Sequence, residues 1–171
     1  MGKIKIIFLW VILIVLSCEK REEEISEKKR LPSQITINFE LLESATGKQL
    51  FKLFAQKALL FEEEKRIYIY KPIVYFFDEE KRVSAILECD SGIVDQKNYN
   101  LFGFGSIVVR TNDSTYLFCD SLRWDNQRQM IFTNSFVRFR NESGEIEGIG
   151  LESDAALSKV KILKEVTGKA K

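Results

Sequence analysis

The sequence predicts an all-β fold, one domain of stacked antiparallel strands behind an N-terminal export segment. Two observations predict the fold, and a third bounds its chemistry. Between Leu101 and Gly150, short alternating apolar runs recur with Gly, Asn and Asp between them. Gly103, Leu117, Phe132 and Gly148 mark a beat of 14, 15 and 16 residues, a near-constant length of strand plus turn, as a sheet built rung upon rung requires. No histidine occurs in the 171 residues, which removes His-based triads, His general bases and most catalytic zinc sites. Such a fold, with an open apolar interior, carries or conducts apolar material more readily than it performs chemistry.

The N-terminus decides the compartment. Lys3 and Lys5 precede an uninterrupted apolar run of eleven residues, Ile6 to Leu16. That is too short to cross a ~30 Å hydrocarbon core, which takes about 20 helical residues, so residues 1–18 read as a signal peptide. The run ends in Val15-Leu16-Ser17-Cys18, a small residue directly before a cysteine, which resembles the lipobox in which Cys18 is diacylated. The alternative is an uncleaved signal anchor; both put the remainder outside the cytoplasm, tied to a membrane. Residues 19–31 are Glu, Lys and Arg with little apolar but Ile25, a composition suited to a flexible tether or a solvated helix.

Pro32 closes the tether, and the expected domain spans 32–166 with a tail at 167–171. About 150 residues follow the signal, enough for one cored domain and too few for two. Loss of Lys3 and Lys5 leaves 24 basic against 25 acidic residues, without the basic block that nucleic acid would demand. No phosphate loop, CxxC pair or Gly-x-Ser-x-Gly elbow occurs, so no enzyme and no cofactor is expected.

Strands follow in order. Ile35 to Phe39 begins strict alternation, and Leu50 to Ala55 follows a turn at Thr46-Gly47-Lys48. Ala55, Ala58 and Leu59 also allow a short helix within Gln49 to Glu64. Arg66 to Tyr70 and Ile73 to Phe77 are separated by Pro72, which demands an edge, a bulge or a strand start. Asp78 to Lys81 turns the chain into Val83 to Glu88. Further strands run Ser106 to Arg110, Ser114 to Cys119, Gln129 to Thr133, Phe136 to Phe139, Ile146 to Leu151 and Val160 to Leu163, with hairpin turns at Asp113-Ser114 and Glu142-Ser143-Gly144.

Period two sorts the faces. Val74 with Phe76, Leu117 with Cys119, Leu122 with Trp124, Ile131 with Thr133 and Val137 with Phe139 share the apolar side; Arg123, Asp125, Arg138 and Arg140 fall on the other. One interior is therefore enclosed, either an ordinary packed core or an open trough.

The residues from Leu117 to Asp125 (Leu-Phe-Cys-Asp-Ser-Leu-Arg-Trp-Asp), then Ile131 to Asn134, Val137 to Phe139 and Ile146 to Asp154, form an ordered set. With Pro72 to Phe77 and Gly105 to Val109 upstream, the set resembles the LptC family of the lipopolysaccharide export machine over Leu50 to Leu163. The resemblance implies an open, twisted β-jelly-roll and no enzymatic activity. Its trough would take lipid A acyl chains from the inner-membrane transporter LptB/LptF/LptG and pass them to an LptA-like bridge protein. Trough residues are then Val74, Phe76, Leu87, Ile107, Val109, Leu117, Leu122, Trp124, Ile131, Val137 and Phe139. The partner edges are Ile35, Ile37 and Phe39 on one side and Val160 and Ile162 on the other. The resemblance also implies the periplasmic face of the inner membrane; the chain departs from the many members that keep a membrane helix, since Val15 to Cys18 suggests an anchor by lipid at Cys18, or else by the N-terminal apolar segment.

Gly148-Ile149-Gly150 lacks the context of a dinucleotide fingerprint and fits a bulge or tight return. Asp125 and Asp154 fit turn caps better than a metal site. Cys89 and Cys119 lie two beats apart, which favours two buried thiols over a disulfide. A lipid-carrier lipoprotein, an LptA-like bridge segment and a structural envelope lipoprotein with a dry core are the rival readings.

Overall fold

The computed structural model describes residues 31–170; the signal segment, Cys18 and residues 19–30 lie outside them. The described chain is all strand: β1 Gln34–Ala45, β2 Lys48–Phe61, β3 Arg66–Phe77, β4 Val83–Glu88, β5 Ser91–Asp95, β6 Leu101–Thr111, β7 Tyr116–Asp125, β8 Met130–Asn141, β9 Gly144–Asp154 and β10 Lys161–Ala170. One antiparallel sheet runs β1-β2-β3-β4-β6-β7-β8-β9-β10, and β5 fills the gap between β3 and β6 beside β4. Apart from β4 and β5, which each pair with β3 and β6 and not with one another, sequential strands pair across the turns that join them. At Thr46-Gly47, flanked by the pair Ala45 and Lys48, φ values of 51° and 77° make the left-handed two-residue turn that matches strand twist. Asn141 Oδ1 accepts from the Ser143 and Gly144 amides and shapes the turn between β8 and β9.

A crease crosses the sheet and bends it over its interior. Ladder pairing skips Asn38, Gln56 and Lys71 in β1 to β3, and slips near Ser106 in β6, after Cys119 in β7, after Thr133 in β8 and after Lys164 in β10. Asn38, Lys71, Ser106, Gly150 and Glu165 take φ between 44° and 76° there. Such irregular steps bend strands and increase their twist. Pro72 sits at the crease, where a missing amide is tolerated: β3 runs through it unbroken, while β4 pairs with Ile73–Phe77 and β5 with Arg66–Tyr70. The two runs expected as separate strands are thus one.

The crease also explains other departures from the sequence reading. The 49–64 segment is β2 and no helix: Ala55 and Ala58 both point inward because the skipped pair at Gln56 and Lys71 turns a step of two into three. Alternation in β1 is likewise broken at Asn38, so Ile35 and Ile37 face outward while Phe39 turns in. The recurring beat measures hairpin length rather than aligned rungs, since Gly103 stands opposite Leu122, and Leu117 opposite Phe139. Residues 167–170, expected as tail, belong to β10 and pair with Gly144–Glu147.

The bent sheet brings β3 onto β7, although β4 and β6 lie between them. The Phe76 and Trp124 rings meet at 4.7 Å between centroids. β1 and β10 end the strand order without pairing to each other, so the sheet has two free edges. Those edges contain the expected partner segments: Ile35, Ile37 and Phe39 on β1, Ile162 on β10 and Val160 just before it. No described helix is long and apolar enough to cross a membrane.

Candidate lipid-binding interior

All eleven expected trough residues are buried. Val74 and Phe76 come from β3, Leu87 from β4, Ile107 and Val109 from β6, Leu117, Leu122 and Trp124 from β7, and Ile131, Val137 and Phe139 from β8. Cross-strand pairing sets them in rows: Val74, Leu87, Val109, Leu117 and Phe139 stand successively opposite one another. Phe51 meets Phe76 edge-on at 6.3 Å, extending the aromatic contact from β2 to β7.

Alternation missed several of the deepest residues. Phe51 and Leu53 lie in a recognised strand, yet their depth comes from the opposing half of the sheet, which local pattern does not encode. Val94 belongs to β5, five residues long and passed over. Leu151 is fully buried beside Gly150, where the φ of 76° switches the inward face by one residue; extrapolation from Gly148 puts Leu151 outside.

The interior holds no charged side chain among the described residues. Its buried polar groups are Thr115, Thr133 and Ser153. Thr133 Oγ1 donates to the Ser121 carbonyl at 2.6 Å, satisfying the backbone where β7 slips. Ion pairs stay outside: Arg138 with Glu147 at 2.7 Å and Lys71 with Asp90 at 2.6 Å are both solvent-exposed and contribute little. Asp154 accepts from the Ser158 and Lys159 amides and the Ser158 hydroxyl, and Asp125 from the Arg128 amide. Both carboxylates cap turns, and no acidic, Cys or His group among the described residues clusters as a metal site.

The interior is tightly packed in this structure. A small apolar cavity of about 20 Å³ lies among Leu53, Val74, Phe76, Leu87, Leu122 and Trp124. A wider mouth of about 220 Å³ opens beside Leu50, Phe76, Phe77, Trp124 and Ala155.

Cys89 and Cys119 are free and buried, on opposite sides of β6. Two strand spacings of about 4.8 Å separate such positions, beyond disulfide reach. Burial pushes the Cys89 thiol up to about 11 and the Cys119 thiol up to about 12. In the unfolded chain both ionise near 9, so the folded state loses stability as pH rises from about 9 through 11 to 12 and is unaffected below. The expected result is no reaction of either thiol with a disulfide reagent at pH 8 in native protein and full reaction of both in urea.

Over residues 4–171 the chain matches the family described as lipopolysaccharide-assembly, LptC-related. It belongs to that family. Membership gives it a role in lipopolysaccharide transport. Among solved structures, the fold is similar to LptH, the LptA-homologous periplasmic component of the lipopolysaccharide transport device from Pseudomonas aeruginosa. That likeness has a TM-score of 0.56 and 11% identity, covering 71% of this chain and 94% of LptH. No curated protein matches. The LptC-related chain and LptH thus share the β-jelly-roll at an identity where little but architecture is retained.

Proposed function

We propose that this LptC-related protein receives lipopolysaccharide acyl chains in its interior from an LptB/LptF/LptG transporter and hands them to an LptA-like bridge protein. The observation that carries the reading is the uncharged interior between two unpaired sheet edges. Each buried CH₂ gains about 0.8 kcal/mol, enough to hold a lipid in transit without covalent chemistry. Unpaired strands need partners or protection, so β1 with Ile35, Ile37 and Phe39, and β10 with Ile162, are the joints to neighbouring jelly-rolls. The domain works in the periplasm, held at the inner membrane by lipid on Cys18. Mass determination of the mature N-terminus checks this, with a diacylglyceryl-cysteine expected.

A photo-crosslinking residue at Trp124 and at Phe139, with outward Arg138 as control, tests the transport reading in cells shown to be exporting. Capture of lipopolysaccharide at the two inward sites alone supports it. No capture at any site favours the second reading, a dry structural core, for which the cavity of about 20 Å³ is the specific observation.

A further inference from the structure

Phe76 and Trp124 line both the inner cavity and the wider mouth, so the two spaces meet at this ring pair. What holds Trp124 in that pair is Asn126, in the turn between β7 and β8. The indole Nε1 has only a proton to give, and it donates to Asn126 Oδ1 at 3.3 Å. This fixes the amide so that Nδ2 points away and donates to Glu43 Oε1 at 3.2 Å, 83 residues distant in the chain. The Asn126 backbone N–H in turn donates to Asn100 Oδ1 at 2.9 Å, tying the turn to the loop before β6.

Glu43 belongs to β1, a strand bound by hydrogen bonds on one side only. It contributes no fully buried side chain; Phe39 and Leu41 are partly buried, while Ile35, Ile37 and Leu42 are exposed. β1 is therefore, with β10, one of the two strands free to be displaced from an edge, and it is the one whose side chain, Glu43, reaches across to the group that orients Trp124.

We infer that Glu43 and Asn126 form a latch that holds the Phe76–Trp124 pair shut, and that displacement of β1 by a strand pairing at its free edge opens the mouth to the interior. Resting on the lipid-path reading above, this inference adds that access to the interior is controlled from the partner edge. Glu43 and Asn126 are positioning residues: they act through the indole and β1 and lie at the rim of the apolar path.

The test uses the membrane-anchored protein in phospholipid nanodiscs, expressed with Trp10→Phe so that Trp124 is the sole tryptophan whether or not the segment before Cys18 is removed. Acrylamide quenching of its fluorescence reads exposure of the ring pair. Glu43→Ala is expected to raise quenching severalfold with a cooperative thermal transition retained, and Asn126→Ala to raise it further. Glu43→Gln keeps an acceptor oxygen and is expected to match the parent. Quenching unchanged in Glu43→Ala, or raised equally in Glu43→Gln, overturns the latch. A rise confined to the alanine variants, without capture of lipopolysaccharide by a crosslinker at Phe139, upholds the latch and removes the lipid-path reading.

Discussion

Phe76→Ala is expected to lower the stability of the domain by about 3–5 kcal/mol, the range for a buried aromatic truncated in a core that cannot collapse around the gap. The ring is 1% exposed and stands between Phe51 at 6.3 Å and Trp124 at 4.7 Å, so its loss removes an aromatic bridge between the two halves of the bent sheet. Backbone hydrogen bonds of β3 cannot replace it, because they run to β2, β4 and β5 and none crosses the interior. Urea unfolding followed by β-sheet circular dichroism checks the value. The same variant bears on function. A gap lined by apolar side chains binds apolar guests, so added long-chain fatty acid is expected to stabilise Phe76→Ala more than the parent by mass action. An equal effect on both proteins would count against an interior that accepts chains.

Gly148→Val is expected to detach β10. A Cβ at Gly148 would lie 2.5 Å from Ile162 Cγ2 and 2.8 Å from the Lys164 carbonyl oxygen. The second of these is backbone, so no rotamer change relieves it and the edge strand must move. Overpacking of this kind costs about 1–3 kcal/mol globally. The local effect is larger, since β10 is bound only to β9. Hydrogen exchange is expected to lose protection over Lys161–Ala170 while β6 to β8 keep theirs, and capture of a partner at this edge is expected to disappear. Protection kept in β10 would show that β9 and β10 accommodate the branched side chain after all.

Both predictions rest on features that differ in how legible they were. Alternation alone put Val74 with Phe76, Leu122 with Trp124 and Val137 with Phe139 on the inward side, and each is buried. It failed where the crease adds a residue to the period. Ala55 to Ala58 imitated helical spacing, Ile35 and Ile37 lost their common face with Phe39, and Leu151 stayed hidden beside Gly150. The glycines of β9 were legible as backbone requirements, yet the reason for Gly148 is Ile162 and Lys164 on the neighbouring strand, which no local pattern contains.

By itself the sequence determined the absence of histidine chemistry, through composition, and an all-β chain, its hairpin turns and the apolar face away from the crease, because these follow from neighbours within a few residues along the chain. Only the tertiary structure decided that β3 lies on β7, that the interior is filled in this state, that β1 and β10 are left unpaired and that Glu43 meets Asn126. These depend on how far the sheet bends. That bend is the sum of small irregular steps in successive strands, each stabilised by pairing across the sheet and by contacts between residues far apart in sequence.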